Sequence, residues 1–244
     1  MRYFFRVEYD GSRYGGWQRQ PDTESIQGHI EKAFTVALRA PVSITGAGRT
    51  DAGVHAKRQG AHLDFYGAID PGRCQLSVNA LLPPEIAIYN LQQVDPSFHA
   101  RFSAVSRLYR YYICFKKQPL WFNRVWRLNH RVDWDKARSH LPAIEGKHDF
   151  AAFMASGCGT ENSICTVKQV SLEKDDDILL FTIEADRFIY KMVRSIVGTL
   201  VDIGRGRLGI TMEEIIKRKD RRLVGETAPP FGLVLENVQY QGVD

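Results

Sequence analysis

One order of strands and helices is written twice along this chain, and that repeat limits its folds more than any single motif. Arg2 to Tyr9 alternates: Tyr3, Phe5, Val7 and Tyr9 point one way, and Arg2, Phe4, Arg6 and Glu8 the other. That period of two is a strand signature. After the turn-rich stretch DGSRYGGWQRQPD, Ser25 predicts a helix N-cap. Ile26, Ile30, Phe34, Ala37 and Leu38 then keep a helical period to Arg39, and Pro41 closes the helix. Val42–Thr45 and Gly60–Tyr66 read as strands, Gln75–Leu82 as a short helix stopped by Pro83 and Pro84, and Ile86–Val94 as a strand. The second half repeats the plan. A strand is expected over Ser106–Phe115, a helix from the Asp133 cap to Glu145, and a hairpin of Val167–Leu172 with Ile178–Ala185 around LEKDDD. The strongest helical pattern covers Phe188–Ile203, with its stripe of Ile189, Met192, Val193, Ile196, Val197, Leu200 and Val201. A shorter helix over Met212–Asp220 and a strand over Leu233–Tyr240 complete it.

Strand, helix, strand, strand, helix, strand is the split βαβ order. The expected fold class is α/β of the α+β type, in two related split-βαβ halves that join their sheets and leave a cleft. The boundary falls near Phe98–Ala104, so the halves are residues 1–101 and 102–244.

Composition narrows the function classes. The 244 residues are 44% hydrophobic and 25% charged, an ordinary globular balance. No run approaches the ~18 consecutive apolar residues of a membrane span. The opening MRYFFRVEYDG is charged and alternating, unlike a signal peptide, so a cytoplasmic protein is expected. A net charge of +5 is compatible with a polyanionic partner. Cys74, Cys114, Cys158 and Cys165 form no CxxC pair, and the six residues between Cys158 and Cys165 are not a zinc-ligand spacing. Reduced, structural thiols and no metal site are expected.

The chemistry concentrates in ITGAGRTDAGVHA, Ile44 to Ala56. No GK[ST] follows its glycines, so it is not a Walker loop, and the third glycine of a dinucleotide fingerprint is missing. Asp51 and His55 have no further nearby ligand for a metal. A tight strand connection explains the glycines but not Arg49 two residues before Asp51. A functional loop explains both. Elsewhere two readings also stand side by side. Tyr109 fits a core aromatic on an alternating strand, and Arg194 fits a solvated edge beside the apolar stripe, with Lys191. Tyr14, Trp17 and Arg19 suit RNA, whose bases stack on rings and whose phosphates meet guanidinium groups, or a core Trp with exposed arginines. Lys57 and Arg58 extend the basic surface. KRKDRR reads as a solvated helix face. Neither spacing nor chemistry demands a catalytic role for His55, His62 or His99.

GRTDAGVHA closely resembles the signature of the tRNA pseudouridine synthase I (TruA) family. EYDGSRYGGWQRQ, NALLPPEIAI, FHARFSA, RLYRYYI, KMVRSIVGTL and APPFGLVLENVQY follow that family's order, so the resemblance runs from about residue 6 to residue 240. It implies a mixed, largely antiparallel central sheet built from two α/β halves with flanking helices, the pseudouridine synthase fold. It implies an isomerase that converts uridine to pseudouridine at positions 38 to 40 of the tRNA anticodon stem-loop, as a homodimer and without cofactor or metal. By resemblance Asp51 is the nucleophile, Arg194 its ion-pair partner, Tyr109 the active-site tyrosine that stacks on uracil or moves a proton, and Arg49 a holder of the flipped nucleotide. Arg19 and Trp17 are further candidate RNA contacts. A lone carboxylate suits an isomerase, because the base never leaves the pocket and no water is consumed, whereas ordinary glycoside hydrolysis uses two. The rivals are a synthase acting on other RNA uridines, a non-catalytic RNA-binding module, and a nucleoside hydrolase, for which no carboxylate pair is evident.

Overall fold

A computed structural model describes residues 1–155 and 162–243 of the chain. In chain order the elements are β1 (Arg2–Tyr9), α1 (Ile26–Leu38), β2 (Ile44–Gly46), β3 (His55–Asp64), α2 (Pro71–Leu81) and β4 (Ile86–Val94). Then come β5 (Ala104–Cys114), β6 (Trp126–Arg127), α3 (Trp134–Ser139), β7 (Gly146–Asp149), β8 (Ile164–Asp175) and β9 (Ile178–Ala185). Next are α4 (Met192–Gly204), α5 (Met212–Arg218) and β10 (Leu233–Tyr240). The chain is thus a mixed α/β protein. It forms two compact units: Met1–Val105 with Val234–Asp244, and Ser106–Leu233.

In the first unit β1 is central. It pairs antiparallel with β4 on one side and β3 on the other. β2 closes an antiparallel hairpin on β3, and β10 runs parallel to β3. Both faces of β1 are covered. Phe5 meets Phe34 of α1, with ring centroids 5.2 Å apart. On the other face Arg6, 1% exposed, lies between the rings of Phe4 and Tyr240 and donates to the Val238 carbonyl at 2.6 Å. A charged residue in an alternating strand therefore does not mark a wet face here; the guanidinium is held by two aromatic rings and a backbone acceptor.

In the second unit β5, β9, β8 and β7 pair antiparallel in that order, and β6 lies parallel to β5. A two-residue turn at Asp176–Asp177 joins β8 to β9, and Asp176 has φ 53°, a left-handed conformation Asp tolerates. Every residue of α4 except Arg194 is buried.

Several boundaries moved from the sequence reading, each for a local reason. α2 starts at Pro71, because Asp70 caps it by accepting from the Arg73 N–H at 3.1 Å and proline suits the first helical position. The helix expected from Asp133 to Glu145 ends at Ser139 and gives way to a 3-10 turn over Leu141–Ala143; Pro142 has no N–H to continue the α ladder. α4 begins at Met192 rather than Phe188, because Lys191 takes a left-handed φ of 61°. Lys191 therefore precedes the helix and does not share its surface strip with Arg194. β3 starts at His55, which shortens the loop after β2 to residues 47–54. Cys74, Cys114 and Cys165 are buried, unpaired thiols, and Cys158 lies outside the described residues. Among the described residues no helix is long and apolar enough to cross a membrane.

Candidate active-site elements

The loop carrying Arg49 and Asp51 is an excursion from a hairpin. β2 and β3 pair Ile44 with Leu63, Thr45 with His62 and Gly46 with Ala61. The Ala47 N–H then bonds the Gly60 carbonyl at 2.8 Å, and the chain leaves the ladder until His55. Asp51 opens a turn, with its carbonyl accepting from the Val54 N–H at 3.1 Å and Gly53 at φ 78°, where glycine carries no steric cost.

The stretch between β1 and α1 braces this turn. Trp17 N–H donates to the Thr50 carbonyl at 3.1 Å, and the Thr50 hydroxyl lies 2.8 Å from the buried Tyr9 hydroxyl. The residue just before Asp51 is thus fixed through both backbone and side chain. Gly16 packs so closely that a Cβ there would sit 2.5 Å from the Thr50 oxygen and 3.1 Å from the Asp51 carbonyl carbon. The Gln59 amide, fully buried on β3, donates to the Gly48 carbonyl at 3.0 Å. His55 completes the brace: its Nδ1 lies 3.2 Å from both the Gly11 N–H and the Asp10 carboxylate.

Trp17 is 2% exposed, and a Cβ on Gly46 would meet its indole at 2.6 Å. Its place in the structure is beneath the loop. Arg49 is exposed, and its Nε donates to the Gln18 amide oxygen at 3.1 Å. Gln18 continues to Gln27 at 2.9 Å, and Gln27 to Glu31 at 2.9 Å. Arg19, with its side chain 71% exposed, lies 3.4 Å from the same Glu31. Arg19 and Arg49 therefore belong to one polar network through Gln18, Gln27 and Glu31, and Asp51 itself is half-buried.

The second unit holds Tyr109 and Arg194. Tyr109 stands opposite Ile183 on β9, is half-buried, and meets Phe188 edge-on at 5.1 Å. The left-handed Lys191 ends the irregular stretch that carries Phe188. Arg194 is pinned to the segment before β10: its Nε donates to the Ala228 carbonyl at 2.8 Å, and its own carbonyl accepts from the Ala228 N–H at 3.1 Å. That segment lies along α4. The Gly225 N–H donates to Thr199 at 3.1 Å and the Glu226 N–H to Asp202 at 3.1 Å, while Gly198 leaves no room for a Cβ under the Glu226 carbonyl. Arg221 adds bonds of 3.1 Å each to Ser195 and Thr227. Next to this Arg194 clamp, the buried Tyr111 donates to the Pro229 carbonyl at 2.7 Å. Burial pushes the Tyr111 phenol well above its ordinary value, and the Arg194 charge opposes that rise. The second unit thus gathers a half-exposed phenol ring and a guanidinium fixed at its Nε.

Chemically, the first unit offers a carboxylate and a guanidinium on a loop whose backbone is already ordered. Preorganised groups contribute most when they need not rearrange during reaction. Among the described residues no group of three or more His, Cys, Asp and Glu side chains is placed to hold a metal ion. The supporting residues Tyr9, Gln18 and Thr50 lie within the quoted motifs, but their duties, like that of Gln59, depend on which backbone groups the fold brings to them.

The profile described as tRNA pseudouridine synthase matches residues 6–103 and 142–241. A protein of Bacteroides thetaiotaomicron named tRNA pseudouridine synthase A is 40% identical over 98% of this chain and 91% of its own length. Proteins of the same name from Acetivibrio thermocellus and a Shewanella species are each 39% identical, over 96% and 98% of this chain and 97% and 93% of their own.

Proposed function

The chain belongs to the tRNA pseudouridine synthase family, and we propose that it isomerises uridine to pseudouridine in tRNA, at positions 38, 39 and 40 of the anticodon stem-loop. The observation that carries this reading is the Asp51 turn: one carboxylate, half-buried, on a backbone fixed from both sides, within GRTDAGVHA.

The reaction breaks the N1–C1′ bond of uridine and forms a C5–C1′ bond to the same ribose. The C5 proton leaves and N1 gains one, so nothing else is consumed. By the family match Asp51 acts as the nucleophile, which splits one hard substitution into two easier steps. Attack at C1′, attack at uracil C6 and removal of a ribose proton are rival schemes for that same carboxylate. By the family match Arg194 is its ion-pair partner. Tyr109 stacks on the uracil and serves the proton at C5. The target must leave its stack to meet these groups, and Arg49 holds the flipped nucleotide. Arg19 adds contact to the RNA backbone, and Trp17 serves by supporting the loop. The same reading makes the enzyme a cytoplasmic homodimer that needs no cofactor; sedimentation of the purified chain tests the dimer.

Tritium release from tRNA transcripts labelled at uridine C5 tests the reaction. Wild type is expected to release label into water while the base stays in the RNA, and Asp51→Asn to release none. Replacing single uridines of the anticodon arm maps the positions. Binding of tRNA by wild type without release from any transcript refutes the isomerase and leaves an RNA-binding module. Full activity in Asp51→Asn refutes the nucleophile assignment alone.

A further inference from the structure

The FHARFSA stretch, Phe98 to Ala104, has no part in the chemistry above, yet it builds a distinctive surface. Phe102 is 76% exposed. A single exposed apolar side chain is ordinary on a protein surface. This one is not free-standing. Its ring lies 4.4 Å from the His99 ring at a tilt of 38°. His99 in turn lies 4.9 Å from His62, and buried His62 meets buried Phe98 at 6.5 Å. A column of rings therefore runs from the core of the first unit to solvent and ends at Phe102.

The backbone under the column is fixed from three strands. Arg2 on β1 donates to the carbonyls of Pro96 and Phe98 at 2.8 and 2.6 Å. His62 Nδ1 on β3 accepts from the Ala100 N–H at 3.2 Å, and Tyr240 on β10 donates to the Ala100 carbonyl at 2.7 Å. Within the loop, His99 Nδ1 accepts from the Arg101 N–H at 3.1 Å, and Ser103 closes the turn through its hydroxyl at 2.9 Å and its N–H at 2.8 Å, both to His99 backbone groups. The acidic residue of the loop, Asp95, is turned to the Ser97 N–H and hydroxyl at 2.8 and 2.6 Å. At the tip, exposed Arg101 sets its guanidinium 5.7 Å from the Phe102 ring centroid.

We propose that Phe102 is a stacking platform for an unpaired nucleobase of the RNA, with the Arg101 guanidinium serving the adjoining phosphate. This rests on the reading of the chain as an enzyme acting on RNA. A flat ring is the feature every base can use, and a cation beside it fits the phosphate that accompanies each base. A loop ordered in advance spares the entropy that binding otherwise loses. The single ring and adjacent charge favour a nucleotide over a protein partner, which needs a broader apolar contact.

The test is tRNA binding at fixed salt, with tritium release in parallel, for wild type, Phe102→Ala, Phe102→Leu and Phe102→Tyr. Stacking on one aromatic side chain predicts that Phe102→Ala weakens binding about 5- to 150-fold and raises KM, with kcat kept at saturating tRNA. Phe102→Tyr restores affinity, because it restores the flat ring. Phe102→Leu stays weak, although it still covers His99; a merely structural side chain is rescued by Leu as well as by Tyr. Wild-type affinity in Phe102→Ala, or equal rescue by Leu and Tyr, overturns the platform. So does a change of oligomeric state in Phe102→Ala with unchanged tRNA affinity, which assigns the ring to a contact between copies. If wild type releases no label but Phe102→Ala still binds tRNA more weakly, the isomerase reading fails while the platform stands.

Discussion

Substituting Gly16 by Ala tests how far the Asp51 turn depends on its neighbour. Gly16 has φ 102° and is buried, and a Cβ there would lie 2.5 Å from the Thr50 oxygen and 3.1 Å from both the Asp51 carbonyl carbon and the Ala52 nitrogen. Two costs add. Holding a non-glycine residue at such a φ costs about 1–3 kcal/mol. Forcing a methyl group into a packed site costs about 1–3 kcal/mol more. The sum, about 2–6 kcal/mol, lowers Tm by roughly 4–24 °C in a chain of this size. The obstacle is backbone, so it cannot be relieved by a rotamer change. Relief to an ordinary contact needs the Thr50–Asp51 peptide to move by about 0.9 Å, and a 1 Å misplacement of a reacting group costs about 100-fold. The expected kcat for tritium release therefore falls about tenfold or more, measured well below the new Tm. Gly209→Ala is the control, since no atom lies within 4 Å of its Cβ position. A Gly16→Ala protein that melts within about 2 °C of wild type and keeps its kcat refutes the claim that this contact sets the loop.

Two further predictions concern stability. Burial, with the charges of Arg2 and His99, lowers the His62 pKa from 6.5 to about 4. Between those values the unfolded chain binds a proton that the folded chain does not, so this residue's stability contribution is lost as pH falls from about 6.5 towards 4. Urea midpoints measured across that window should drop less steeply in His62→Asn, which can still accept from the Ala100 N–H; parallel curves refute the assignment. Tyr111→Phe removes the 2.7 Å bond to the Pro229 carbonyl and leaves that acceptor without its partner, at a cost of about 1–3 kcal/mol by urea unfolding. Unchanged stability there refutes the view that Tyr111 secures the segment beside Arg194.

How much of this was legible beforehand varies by element. β1 and β10 fall where alternation puts them, and α1 lies between its Ser25 cap and a left-handed Arg39. These are local signals, set by side-chain period and by which residue can satisfy a helix end. The Asp70 cap and Pro71 at the first helical position are equally local signals, and they start α2 four residues before Gln75. Lys191 carries no such mark, and its left-handed φ of 61° is visible only in the structure.

For the candidate site, the chain by itself named the candidates. Arg49 and Asp51 stand out as charges among glycines, and the ordered motifs point to Tyr109 and Arg194 with them. Tertiary structure decided the duties of everything around those residues. Trp17 reads in the sequence as an RNA contact, with a core ring as the alternative, and in the structure it is buried against Gly46. Alternation puts Arg6 on one face of β1 with Phe4 and Glu8, and only the structure shows the Phe4 and Tyr240 rings closing over it. Tyr9 reaches Thr50 across 41 residues, and Tyr240 reaches Ala100 across 140. Such bonds depend on which strands lie side by side, and strand pairing is settled by the burial of whole faces rather than by any local run of residues.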